Sequence, residues 1–89
     1  MKTVEKKITI KDEAGMHARP ASKLAQEAAK YDEDIKLTYN GKTVDLKSIM
    51  GIMSLGVPQD AEITITVSGD DEEATLDALI KALKDLELA

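Results

Sequence analysis

Cysteine, phenylalanine and tryptophan are all missing from this chain, and histidine occurs once. Without cysteine there is no disulfide and no thiolate metal site, a composition that fits a reducing compartment. A single histidine, with no second ligand of its kind and no ordered carboxylate cluster, argues against a metal centre. Two tyrosines are the whole aromatic content. The core must therefore be aliphatic, and there is no aromatic platform on which single-stranded bases would stack. Long apolar runs are also lacking. The start, Met1-Lys2-Thr3-Val4-Glu5-Lys6-Lys7, has no stretch of signal-peptide type, and no segment approaches a membrane span. The chain reads as soluble and cytoplasmic, with no membrane insertion. Basic charge is in deficit: 12 Lys and Arg stand against 17 Asp and Glu, a net charge of −5. That balance speaks against broad, direct nucleic-acid binding but leaves room for a small local phosphate site. With 89 residues there is material for one modest core, so residues 1–89 are expected to form a single domain.

Hydrophobic periodicity divides the chain into seven elements. Val4, Ile8 and Ile10 share one parity and predict a strand over 3–10. Residues 12–15 read as a loop. Ala21, Leu24, Ala25 and Ala28 follow the i, i+3, i+4, i+7 spacing of a helix face, with Pro20 in the first turn and an end near Lys30 or Tyr31. Ile35, Leu37 and Tyr39 alternate as a second strand. Asn40-Gly41 is the signal of a type I′ hairpin turn into a third, Lys42 to Leu46. Ser48 is placed to cap a short helix, Ile49 to Leu55, closed by Gly56. Ile63, Ile65 and Val67 mark a fourth strand. An acidic turn then leads into a last amphipathic helix carrying Leu76, Leu79, Ile80, Leu83 and Leu86. The order is βαββαβα. Its economical packing puts three helices on one face of a four-stranded antiparallel sheet, an α+β open-faced sandwich.

Two segments could carry chemistry. In Gly15-Met16-His17-Ala18-Arg19-Pro20-Ala21 the lone histidine sits at a helix start. Imidazole carries a proton or a phosphoryl group readily near neutral pH. A helix start offers free backbone N–H groups, here those of Ala18 and Arg19, and a partial positive charge. The Arg19 guanidinium adds a fork suited to phosphate oxygens. Asp12 and Glu13, just upstream, read as a solvated loop. The second segment is Lys47-Ser48-Ile49-Met50-Gly51-Ile52-Met53-Ser54-Leu55-Gly56. Its apolar residues span more than one face of so short a helix, so some are exposed, and exposed Met side chains suit docking to several partners. A phosphate on Ser48 would bring about −1.5 to −2 charges beside that patch.

These two segments together, joined through Tyr39-Asn40-Gly41-Lys42, closely resemble the histidine-containing phosphocarrier (HPr) family of the bacterial phosphoenolpyruvate-dependent sugar phosphotransferase system, in its Gram-positive type. The likeness runs over nearly the whole chain. It implies the open-faced β-sandwich. It also implies that His17 accepts a phosphoryl group on Nδ1 from enzyme I and hands it to IIA proteins or domains, with Arg19 contacting the phosphate. Ser48 matches the serine phosphorylated by HPr kinase/phosphorylase, whose product slows phosphotransfer and acts with a catabolite-control repressor. Ala18, Ile49, Met50 and Met53 form the expected partner-binding set. The resemblance implies a carrier rather than an enzyme, needing no metal or other cofactor, and working as a monomer.

Two departures bear on docking. Ala14 stands where many relatives carry Ser or Asn. Glu27 adds negative charge to a helix that meets acidic partners. Two further readings therefore stay open beside the carrier: a regulatory corepressor module acting through phospho-Ser48, and an engineered scaffold that keeps the motifs with impaired docking.

Overall fold

The computed structural model describes residues 2–12, 18–86 and 88, with Lys2, Ala18 and Arg19 placed through their backbone. Its elements run β1 (Lys2–Thr9), α1 (Ala18–Ala28), β2 (Asp34–Tyr39), β3 (Lys42–Asp45), α2 (Ile49–Ser54), β4 (Glu62–Gly69) and α3 (Glu72–Asp85). The four strands form one antiparallel sheet in the order β1-β4-β2-β3. Helix α3 lies against β1 and β4, α2 against β3, and α1 packs on both helices. This is the expected open-faced sandwich, in the expected order.

Side-chain parity decides the two faces of the sheet. Ile8, Ile35, Leu37, Ile63, Ile65 and Val67 point into the helical layer and are buried. They meet Ala21, Leu24, Ala25 and Ala28 of α1, Ile52 of α2, and Leu76, Leu79 and Leu83 of α3. The small alanines on α1 let that helix come close to its neighbours without aromatic filler. On the open face the strand register brings polar residues into rows, Lys7–Thr64–Thr38–Thr43 and Glu5–Thr66–Lys36–Asp45. Hydroxyls bond across it, Thr38 to Thr43 at 2.9 Å and Thr3 to Ser68 at 2.8 Å.

The turns follow residue chemistry. Asn40 (φ 52°) and Gly41 (φ 80°) both take the positive φ that a type I′ turn demands, and Tyr39 faces Lys42 across it. Helix α1 stops being α-helical at Ala28, earlier than the spacing predicts. The chain still coils onward through tighter i→i−3 bonds, Lys30 N–H to Glu27 O at 3.2 Å and Tyr31 N–H to Ala28 O at 3.1 Å. Leu46 lies just past β3, yet its N–H still reaches Ile35 O at 3.0 Å.

Candidate functional site

Helix α1 begins at Ala18, immediately after His17. His17 itself, with Glu13 and Ala14, lies outside the described residues. The structure fixes what stands on either side of that segment. Downstream, Ala18 and Arg19 are the first two residues of α1, so their backbone N–H groups have no carbonyl one turn back within the helix. Pro20 follows, buried, with no N–H to leave unpaired. The positive end of the α1 dipole is thus adjacent in sequence to the imidazole.

Upstream, the chain is held from two directions. Ile10 is buried and exchanges backbone bonds with the turn before β4: its N–H reaches Ala61 O at 2.9 Å, and Asp60 N–H reaches its carbonyl at 2.7 Å. Lys11 N–H donates to Leu88 O at 2.6 Å, and Gln59 Nε2 reaches Lys11 O at 3.4 Å. Leu88 is fully buried, and its own N–H returns to Leu83 O at 2.9 Å. Sequence reasoning misses this anchorage. It places Leu86 as the last core residue, although an apolar residue two positions further on was available as a signal. Asp60 adopts φ 67°, a left-handed conformation that Asp tolerates better than most residues.

Ser48 stands where the sequence places it. Its backbone is extended (φ −105°, ψ 113°), and its Oγ accepts the Gly51 N–H at 3.1 Å. Just before it, Lys47 N–H donates to the Asp45 carboxylate at 2.9 Å and Ser48 N–H to Asp45 O at 3.1 Å, a tight turn that sets the cap. Space at Gly51 is tight: a Cβ there would lie 3.3 Å from both Ser48 Oγ and Val44 Cβ, so these neighbours would have to give by a few tenths of an ångström. Helix α2 is pinned by Ile52, fully buried beneath it. Its other side is bare. Met50 is 80% exposed, Met53 44% and Ile49 39%, the large exposed hydrophobics among the described residues. A rigid base under flexible thioethers gives an apolar patch of fixed position and adaptable surface.

Glu27, which the sequence marks as a misplaced negative charge, is answered locally. Lys30 Nζ binds its Oε2 at 3.0 Å. The hydrogen bond from Lys30 and the carboxylate charge raise the Lys30 pKa above the usual lysine value. No cluster of metal-ligating side chains occurs among the described residues, and no helix there is long and apolar enough to cross a membrane.

Comparison with known proteins agrees with this architecture. A family model described as the PTS HPr component phosphorylation site matches residues 4–85, a stretch that holds both His17 and Ser48. The chain is 44% identical to the phosphocarrier protein HPr of Bacillus anthracis, covering 90% of this chain and 95% of that one, with a TM-score of 0.84. It is 38% identical to the histidine-containing phosphocarrier protein of a Mycoplasma, covering 96% and 97%, with a TM-score of 0.92. It is also 38% identical to Crh, a catabolite-repression protein of Bacillus subtilis crystallised as a domain-swapped, intertwined dimer, covering 92% and 94%, with a TM-score of 0.73.

Proposed function

The chain belongs to the HPr family of phosphotransferase-system phosphocarriers, and from that premise we propose that His17 is its phosphoryl-carrying residue. As a family member it carries phosphoryl groups among the proteins of that system and is not itself a catalyst. In the proposed cycle, an unprotonated Nδ1 of His17 attacks the phosphorus of phospho-enzyme I. The new N–P bond forms as the donor's N–P bond breaks. A histidine of a IIA protein or domain then takes the group by the same displacement, restoring His17. The N–H groups of Ala18 and Arg19, and the Arg19 guanidinium, stabilise the phosphate oxygens between the two steps. The patch of Ile49, Met50 and Met53, with Ala18, meets each partner in turn. Holding donor and acceptor in line is what this docking supplies. The site works in one domain, residues 1–89, as a monomer in the cytoplasm.

One observation carries the reading: His17 directly precedes the first residue of α1 inside the matched phosphorylation-site stretch. The test is incubation with enzyme I, Mg²⁺ and phosphoenolpyruvate, then mass spectrometry with and without acid. A single acid-labile phosphate on His17, absent from a folded His17→Ala variant, is the expected result. Label retained in that variant overturns it. Label taken up but not passed to a IIA domain would instead identify a scaffold with impaired docking.

A second reading is favoured by the Ser48 cap and by the likeness to Crh. HPr kinase/phosphorylase modifies Ser48, and the product slows transfer and engages a catabolite-control repressor. A phosphate on Oγ would sit at the start of α2, next to Ile49 and Met50, and repel the acidic surfaces those residues meet. Equal incorporation of label from ATP into wild type and Ser48→Ala would reject this role.

A further inference from the structure

Strand β1 is an edge strand. Among the described residues, its eight residues pair with β4 on one side and with no strand on the other. The opposite edge, β3, has only four. A free row of backbone N–H and C=O groups is a template for a further strand, and lysines commonly guard it against like chains. Here the lysines also form a groove. About 280 Å³ of space lies between β1 and α3, lined by Lys6, Lys7, Lys11 and Lys84 around Ile8 and Ile80.

The register shows how these charges flank the edge. Lys6 pairs with Ile65 and so faces the helical layer, whereas Lys7 pairs with Thr64 and faces the open side. Lys7 reaches Glu62 at 3.8 Å, while Lys6, Lys11 and Lys84 form no ion pair among the described residues. The cleft between α1 and α3 differs: Lys23 and Lys30 share it with Glu27, and Lys30 is bound at 3.0 Å. Among the described residues, the lysines Lys6, Lys11 and Lys84 thus gather positive charge without an ion pair, in a protein of net charge −5. It consists of lysine alone, with no arginine fork. Such mobile point charges suit salt-sensitive attraction to an acidic chain better than fitted recognition of one small anion.

We propose that the β1 edge and its lysine groove dock an extended acidic segment of a partner protein, which adds to the sheet as a fifth strand. Backbone bonds to the free edge supply affinity. Alternating acidic side chains, which all share one face of the added strand, meet Lys6 and Lys84 on the helical side. Because α2 lies against β3, at the far edge of the sheet, the added strand leaves Met50 and Met53 open to a second partner.

The test uses the full ¹⁵N-labelled chain and the peptide acetyl-Glu-Val-Glu-Val-Glu-Val-Glu-amide, followed by NMR and amide hydrogen exchange. Alternate β1 amides should gain protection, with shifts confined to β1 and α3. The K6Q/K11Q/K84Q variant should bind about tenfold more weakly at low salt, and K36Q/K42Q/K47Q less than about twofold. A peptide of equal charge with proline in place of valine should protect no β1 amide. The proposal falls if the two triple variants weaken binding equally, which would mean net charge alone. It also falls if the proline peptide binds as well, if the shifts map to α2, or if β1 becomes protected by self-association without peptide.

Discussion

Replacing Ser48 by alanine separates the architecture of α2 from its regulation. The side chain's one bond among the described residues is from Gly51 N–H, at 3.1 Å. It occupies the N-cap of a six-residue helix that has no acidic residue in its first turn to compensate. Loss of such a cap costs about 1 kcal/mol. Water reaches the half-buried site and recovers part of the bond, so the larger values in the measured range do not apply. For a domain of this size 1 kcal/mol corresponds to roughly 4–8 °C in Tm. The expected result is therefore a fall of that order for Ser48→Ala, by calorimetry or circular dichroism, with faster exchange of the Gly51 amide. Ser48→Asp keeps an acceptor at the cap and places a negative charge at the positive end of α2, so it should recover most of the loss. An alanine variant that melts within about 1 °C of the parent, with Gly51 exchange unchanged, would refute the capping argument. These melts also bear on any kinase experiment, since Ser48→Ala removes a phosphate acceptor and a cap together.

Met50→Ala removes a side chain that is 80% exposed, so stability should change by no more than about 0.5 kcal/mol; the KM for enzyme I should nevertheless rise, and an unchanged KM would remove Met50 from the docking patch. Ile52→Ala, on the same helix and fully buried, should cost roughly 2–5 kcal/mol in a urea melt. Gly69→Ala would put a Cβ 2.5 Å from Glu33 Cγ, displacing the carboxylate that Thr75 Oγ1 donates to at 2.6 Å. The expected cost is about 1–3 kcal/mol, and it should shrink in a Thr75→Val background because both changes break the same bond. Glu27→Gln should bring the Lys30 pKa back down toward the ordinary 10.5 in an NMR titration. Because folding raises that pKa, the pair's contribution is fully present below pH 10.5 and is lost as pH rises through the folded value.

Legibility from sequence followed the range of the signal. Elements defined by local chemistry were readable: the alternation of Ile63, Ile65 and Val67, the Asn40-Gly41 turn, and the Ser48 cap each depend on residues within a few positions. What escaped depends on distant partners. Leu88 looks like a trailing residue until its carbonyl is found on Lys11, 2.6 Å away. Glu33, which no sequence pattern singles out, lies against Thr75 and Gly69. Glu72 reads as part of the acidic first turn of α3 and lies there, but its burial is not announced by the sequence. None of these has a periodicity to announce it. The site divides the same way: the exposed Met50 and Met53 followed from counting apolar residues on a short helix, whereas the clamp on Ile10 and Lys11 required the tertiary fold.

The distribution of polarity divides the surface into two unlike sides. The open sheet face presents rows of Thr, Ser, Lys, Glu and Asp, with hydroxyls already bonded to one another. It offers a partner little apolar area to bury, and association there would break satisfied pairs for small gain. The large exposed hydrophobics of the described residues are instead gathered on α2, in the helical layer to which α1 also belongs. In the proposed cycle the carrier is met by unlike partners in succession at one reactive nitrogen. Concentrating apolar surface on the α2 side, and keeping the opposite face polar, limits unproductive encounters without demanding shape complementarity to any single partner. Met side chains serve that purpose better than Leu or Phe, because they adjust to each new surface at little rotamer cost. The same reasoning explains why the patch rests on a fully buried Ile52: the adaptable side chains need a backbone that does not move.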